Sequence, residues 1–401
     1  MAVGTIHTIA RDLHVVEGHH PRTLWEDPDI PSIVVFRTGR RLYLLDSGLG
    51  PDQRRAISEL GRRYADTCDE IVLLNSHGHC DHLGNNDVIA ENGHGKTVRH
   101  YLPRAARSAL DVRPFFDGMY RRGIGYFDYM AGLTVPPDAI ASLLGSLGAS
   151  RNLTGQDVGP LGAEIAKLGI LPAVGGFMPS LVVDILIQTY PPTFPSVETM
   201  IDYEDISSPR DIMIGNTSWT GWTFHDDAGR PQVQVLQSGG HSAGGVVFHL
   251  PEHKFMMFAD ETTSVPIWAD SDPARTIETA RKALAMIEAG QLQMICAGHR
   301  PLLPVTGDEA RAALTDVIRY GTEFGDAVAD ALRRHPAGMR IDALYDLLVG
   351  EAQPDSTIAL LARLQFPVFA TFLKLTLLNH CLLLRMPQDH DENGQPTFRI
   401  K

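Results

Sequence analysis

The 401-residue chain predicts an α+β fold on three observations. Short apolar, β-branched runs of strand length recur up to about residue 296, each ending in a loop with Gly, Ala, His or Asp. Few helical stretches interrupt them. After residue 305 the character changes, with alanine and leucine at helical spacing.

Residues 5–16 and 32–45 alternate or run apolar, as paired strands do, and residues 51–64 read as a helix opened by Pro51 in its first turn. Residues 70–75 form a buried strand and residues 97–102 another. Three later apolar runs, 233–236, 254–258 and 293–296, have strand length, as does 245–248. The hairpin turn Asp226-Asp227-Ala228-Gly229 follows Trp219, Trp222, Phe224 and His225, read as a staple to the core. Helices are predicted at 307–334, from 340, and at 366–384, then a terminal hairpin of 382–385 and 397–400 about the turn 391–394.

Composition sets bounds on function. An apolar content of 44% can bury a sizeable core, giving one large domain plus an appendage. A formal net charge of −13 offers no basic track for a nucleic-acid backbone. Cys68, Cys80, Cys296 and Cys381 lack paired spacing and read as reduced thiols. No basic, then apolar, opening marks a secretory signal, so a cytoplasmic protein is expected. The apolar segment 366–384 is broken by Pro367, Lys374, Asn379 and His380, and reads as a buried helix rather than a membrane span.

The chemistry concentrates in His77-Gly78-His79-Cys80-Asp81-His82, which follows the 70–75 strand. Imidazoles at i and i+2 with a carboxylate–imidazole pair at i+4 and i+5 share no helical or strand face. They converge only from a tight loop, which suits two adjacent cations. Imidazole and carboxylate ligands select Zn, Fe or Mn rather than a sulfur-rich structural site. Further ligand types end later strands in order: His241, Asp260 and His299, with Asp46 after the 42–45 run.

These motifs, over roughly residues 5 to 305, resemble the metallo-β-lactamase superfamily of binuclear hydrolases. The resemblance implies a four-layer αββα sandwich as the catalytic domain (1–305). It implies His77, His79 and His241 at one metal, Asp81, His82 and His299 at the other, and Asp260 bridging both. Asp46 matches the family's buried aspartate that orients the loop. His79 stands where di-iron redox relatives carry Glu, which favours hydrolysis. A carboxylate at Asp260 is similar to lactonases, glyoxalase-II-like thioesterases and phosphodiesterases, and unlike true β-lactamases. One departure is Asn85 in Asp81-His82-Leu83-Gly84-Asn85, read as a turn residue of left-handed geometry.

The implied activity is hydrolysis of a small, fairly hydrophobic ester, lactone or thioester, with sulfate- or phosphate-ester hydrolysis as the alternative. A non-catalytic winged-helix binding protein is a third reading, disfavoured by the complete ligand set. Two divalent ions, Zn2+ before Fe or Mn, would bridge a water, lower its pKa to about neutral and polarise the scissile bond. Asp81 or Asp260 would pass a proton to the leaving group. Gly240-His241-Ser242-Ala243-Gly244 matches Gly-x-Ser-x-Gly, but a strand-like run follows where a nucleophile elbow needs a helix. Cys80 is expected to point into the protein. His19 and His20 occupy a turn where relatives place a substrate-facing loop; exposed turn histidines are the plainer reading.

Residues 103–190 form an insertion with an aromatic cluster (Phe115, Phe116, Tyr120, Tyr126, Phe127, Tyr129) and apolar stretches broken by Gly and Pro. They suit a lid or pocket wall, or a packing surface. The tail, 306–401, resembles a winged-helix appendage, with a structural or homodimerising role preferred over DNA binding. Partners are then a small-molecule substrate, and neither nucleic acid nor membrane.

Overall fold

The computed structural model describes residues 3–20, 29–93, 95–111, 200–268, 270–363, 372–384, 386, 388–390 and 396–400. The first sheet runs β1 (Ile6–Ala10), β2 (Leu13–Val16), β3 (Ile33–Thr38), β4 (Arg41–Leu45), β5 (Glu70–Leu74), β6 (Thr97–Leu102), β7 (Met200–Asp202) in spatial order. The second holds β8 (Arg210–Ile214), β9 (Thr217–His225), β10 (Pro231–Gln237), β11 (Val246–Leu250), β12 (Phe255–Met257), β13 (Met294–Cys296) and β14 (Val305–Thr306).

Strand alternation builds the layers. Val34, Phe36, Tyr43, Leu45, Val72 and Leu74 face the second sheet, where Trp222, Val233, Val235 and Phe248 meet them. Their neighbours Ile33, Val35, Leu42, Leu44, Ile71 and Leu73 face outward onto Ala56, Ile57 and Leu60 of helix α1 (Gly50–Arg63). On the far side, Leu236, Val247, Met256 and Phe258 pack under α5 (Pro273–Glu288) and the first half of α6 (Gly307–Arg334). The order is therefore helix, sheet, sheet, helix, as expected. Short helices α2 (Cys80–Leu83), α3 (Val88–Asn92) and α4 (Tyr203–Ile206) lie between strands.

Pairing at the centre of each sheet gathers the loops. β4 and β5 are parallel, with Leu45 opposite Leu74, so Asp46 and the His77 loop leave the same edge. β12 and β13 are parallel, with Met257 opposite Cys296, which brings Asp260 and His299 out together. His241 sits in the turn between β10 and β11.

Beyond β14 the tail departs from expectation. Four helices are described: α6, α7 (Ile341–Glu351), α8 (Thr357–Arg363) and α9 (Phe372–Leu383). Leu382 and Leu383 close α9 instead of starting a strand; the hairpin is β15 (Gln388–His390) with β16 (Pro396–Phe398). The helix wins there because Leu373, Leu377, Leu378 and Cys381 bury against Phe324, Val328 and Leu344. Of the insertion, residues 104–109 form a 3-10 helix (Arg104–Ala109), while 112–190 with their aromatic cluster lie outside the described residues. No described helix is long and apolar enough to cross a membrane.

Candidate metal centre

All seven expected ligands meet at one edge of the sandwich, in two groups joined by Asp260. In the first, His77, His79, His241 and Asp260 are buried, with ligand atoms within 4.8 Å of one another. His79 Nδ1 lies 2.9 Å from His77 Nε2 and 3.1 Å from His241 Nε2. Asp260 Oδ2 stands 3.3 Å from His241 Nε2 and 3.8 Å from His77 Nε2. In the second group, His299 Nε2 is 3.2 Å from Asp81 Oδ2 and 3.5 Å from Asp260 Oδ2. His82 Nε2 is 3.0 Å from Asp260 Oδ1 and 3.7 Å from Asp81 Oδ2, yet neither Nε2 nor Asp260 Oδ1 is aligned with any group as a hydrogen bond. Unpartnered buried atoms converging this way are what a cation between them satisfies, so the residues fit a pair of divalent ions.

Hydrogen bonds behind the ligands set which ring nitrogen faces inward. Asp46 accepts from the Ser76 backbone N–H and from its hydroxyl, both at 2.7 Å, and from His82 Nδ1 at 2.8 Å. The Ser76 hydroxyl, spent on Asp46, accepts from His77 Nδ1 at 2.9 Å. Both imidazoles thus turn Nε2 toward the cluster. Asp46 does this at φ 60° and Ala259, just before Asp260, sits at φ 46°, so two non-glycine residues in left-handed conformations flank the site.

Electrostatics divide the two groups. Burial pushes His77 well below the usual histidine value, His79 down to about 4 and His241 to about 3, keeping these rings neutral as ligands require. Burial also opposes charge on His82 and His299. There the carboxylates win, Asp260, Asp81 and Asp46 on one and Asp260 and Asp29 on the other, and both rings lie well above it. Burial alone would raise Asp260, but His299, His82 and His241 hold it well below the carboxylate range.

Other expectations resolve residue by residue. Asn85 has no left-handed φ; its buried amide donates to the Ser47 and Gly50 carbonyls at 3.3 and 3.1 Å, stitching the ligand loop to the Asp46 loop. Ser242 lies in a turn leading into β11, with no helix behind it. Cys80 is buried away from the ligands among Val265, Phe324 and Leu377. Trp219 and Trp222 are buried in the layers and Phe224 is half-buried against the cluster that holds Trp222, as a staple requires, whereas His225 is exposed and takes no part. His19 pairs with Ile30, and His20 Nδ1 lies 3.1 Å from Asp29, whose Oδ1 is 2.7 Å from His299 Nδ1.

Three contributors were missed in the sequence. Asp29 stands behind His299. Glu261 is buried and accepts the Gly240 and His241 backbone N–H groups at 3.0 and 3.2 Å, fixing the His241 turn. Trp268 Nε1 reaches to 3.1 Å from His241 Nε2. None has motif spacing; only Glu261, adjacent to Asp260, was within reach of a sequence argument.

Residues 27–146 match the family model of the metallo-beta-lactamase superfamily. The fold is that of this superfamily. A β-lactamase domain protein from Burkholderia ambifaria is similar at 14% identity and TM-score 0.50, covering 100% of this chain and 94% of that one. A metallo-beta-lactamase family protein from Thermus thermophilus is similar at 13% identity and TM-score 0.51, covering 98% and 100%. Looser still is the stereoselective inverting sec-alkylsulfatase Pisa1 from Pseudomonas sp., at 12% identity and TM-score 0.47, with 94% of this chain on 49% of that one. No curated protein matches the chain.

Proposed function

We propose that the protein is a metal-dependent hydrolase that holds two divalent cations, zinc before iron or manganese, and cleaves a small, fairly hydrophobic ester, lactone or thioester. The supporting observation is the pair of four-residue ligand groups that share Asp260. His77, His79 and His241 would hold one ion, Asp81, His82 and His299 the other, and Asp260 both. Such a pair supplies Lewis acidity to a scissile carbonyl and acidifies water to near neutral pH.

The chain's own groups do the rest. Asp46, Ser76 and Glu261 hold the imidazoles in place before substrate arrives, so little reorganisation is needed during the reaction. Of the two carboxylates at the centre, Asp81 is the better placed to hand a proton to a leaving group. Its side chain is 15% exposed against 7% for Asp260, which is also closed in by His77, His82, His241 and His299. A small-molecule substrate is supported by a mostly buried ligand set and by a net charge of −13, which offers no basic track for a polyanion.

The test is metal content and turnover together. Zinc-loaded protein should carry about two ions per chain and hydrolyse at least one compound in a panel of lactones, thioesters, carboxylic, sulfate and phosphate esters. His79→Ala should abolish that turnover with far-UV circular dichroism unchanged. Full activity in this variant would overturn the reading, and turnover of sulfate or phosphate esters alone would correct its substrate class.

A further inference from the structure

Trp268 reaches the metal centre on a segment that carries no ligand. Its Nε1–H donates to His241 Nε2 at 3.1 Å and its ring stands edge-on to His79, centroids 5.0 Å apart. The Trp268 side chain is half-buried where it meets these two histidines. Locally, the Trp268 backbone N–H donates to Ser271 Oγ at 3.1 Å, and that hydroxyl donates to the His241 carbonyl at 2.7 Å.

The upstream hold comes from the tail. Both carbonyls preceding Trp268, those of Pro266 and Ile267, accept from the Asn379 side-chain amide at 3.3 and 2.7 Å. Asn379 sits on α9, buried among Leu377, Leu378 and Cys381. A buried amide is costly unless bonded, and this one spends its donors on the Trp268 segment. Gly321 of α6 adds a second seat, since a Cβ there would fall 2.8 Å from the Ser264 carbonyl oxygen. Cys80, which opens α2 between the ligands His79 and Asp81, packs into the same apolar cluster as Val265, Phe324 and Leu377. The tail helices therefore touch both the ligand loop and the segment bearing the indole.

We propose that Asn379 is a positioning residue that seats Trp268 as a substrate-facing wall of the metal centre, so that the C-terminal helices help select the apolar part of the substrate. The selective role rests on the hydrolase reading above; the seat of the indole does not. The indole stands against His241 and His79, two of the residues that would hold a cation, so zinc loading should change its emission.

Two measurements decide it. Metal-stripped protein is titrated with zinc while tryptophan fluorescence is followed in the native chain, Trp268→Phe and Asn379→Leu, the last an apolar substitute of similar volume. The native chain should show a zinc-induced change that Trp268→Phe lacks and Asn379→Leu diminishes. In parallel, the ratio of kcat/KM for 4-nitrophenyl octanoate over acetate should fall about tenfold in Trp268→Ala and in Asn379→Leu, and no further in the double variant. A zinc response that survives Trp268→Phe overturns the seat of the indole. Effects that multiply in the double variant, or an unchanged ratio in Asn379→Leu, overturn the positioning role. Trp268→Ala keeps the selection arm informative should Asn379→Leu not fold. No turnover of either ester, with an intact fluorescence response, overturns the selective role while the indole's seat stands; the hydrolase reading falls only if the whole panel above is inert as well.

Discussion

At the scale of single residues, the centre depends on backbone as much as on ligands. A Cβ on Gly298 would lie 2.6 Å from Asp260 Oδ1, 3.0 Å from His82 Cε1 and 3.2 Å from Pro31 Cβ. Three neighbours, two of them ligands, cannot all yield. Gly298→Ala should therefore displace the shared carboxylate, lower turnover by about a hundredfold or more, and reduce zinc below two per chain. Metal analysis beside circular dichroism checks this; a variant with full zinc and activity would mean that the Asp260 carboxylate moves freely. Ligand identities were legible in the sequence because each ends an apolar run. Of the groups that aim them, Asp46 was legible at the end of the 42–45 run, and the others were not. Glu261 and Asp29 act through backbone N–H groups or a ring nitrogen distant in the chain, and no spacing rule connects them.

At the scale of elements, what the sequence revealed follows periodicity. Val34 and Phe36 against Ile33 and Val35 sort into the two faces of β3 by strict alternation, so strands were readable. The helix at 307–334 was readable for the same reason, its apolar positions recurring on one face. α9 is apolar on nearly all sides, which erases the period, and its last turn passed for a strand. Strand interiors also make a pH prediction. His249 on β11 bonds through Nδ1 to Gln234 Oε1 at 2.7 Å, and burial lowers it to about 4 against a smaller opposing contribution from the Gln291 backbone. Its folded value lies below the unfolded one of about 6.5, so its stabilising contribution is present above pH 6.5 and lost as pH falls toward 4. Urea denaturation at intervals from pH 7.5 to 4.5 should show His249→Asn, whose amide can replace the Nδ1 donor, losing about 1–3 kcal/mol less than the native chain over that window. Equal losses would place the acid sensitivity elsewhere.

At the scale of the whole molecule, α6 decides how separable the tail is. Its 28 residues extend about 42 Å at 1.5 Å per residue. Ala310, Leu314 and Val317 in its first half pack with Phe258, Ala283 and Met286 against the second sheet. Phe324, Val328 and Leu332 in its second half join the cluster that holds Cys80 and α9. A single helix thus crosses from the sandwich into the tail, and the boundary expected near residue 305 falls just before it. Burying a Leu, Val or Phe side chain contributes roughly 1.5–3 kcal/mol, so losing the α6 contacts of both clusters removes an amount comparable to the whole stability of a typical domain. The full chain should therefore melt in one calorimetric transition. A chain ended after residue 306 should show none, and should expose apolar surface to a hydrophobic dye. A sharp melt of the shortened chain, with zinc still bound, would instead make the sandwich self-sufficient and confine the influence of the tail to the seat of Trp268.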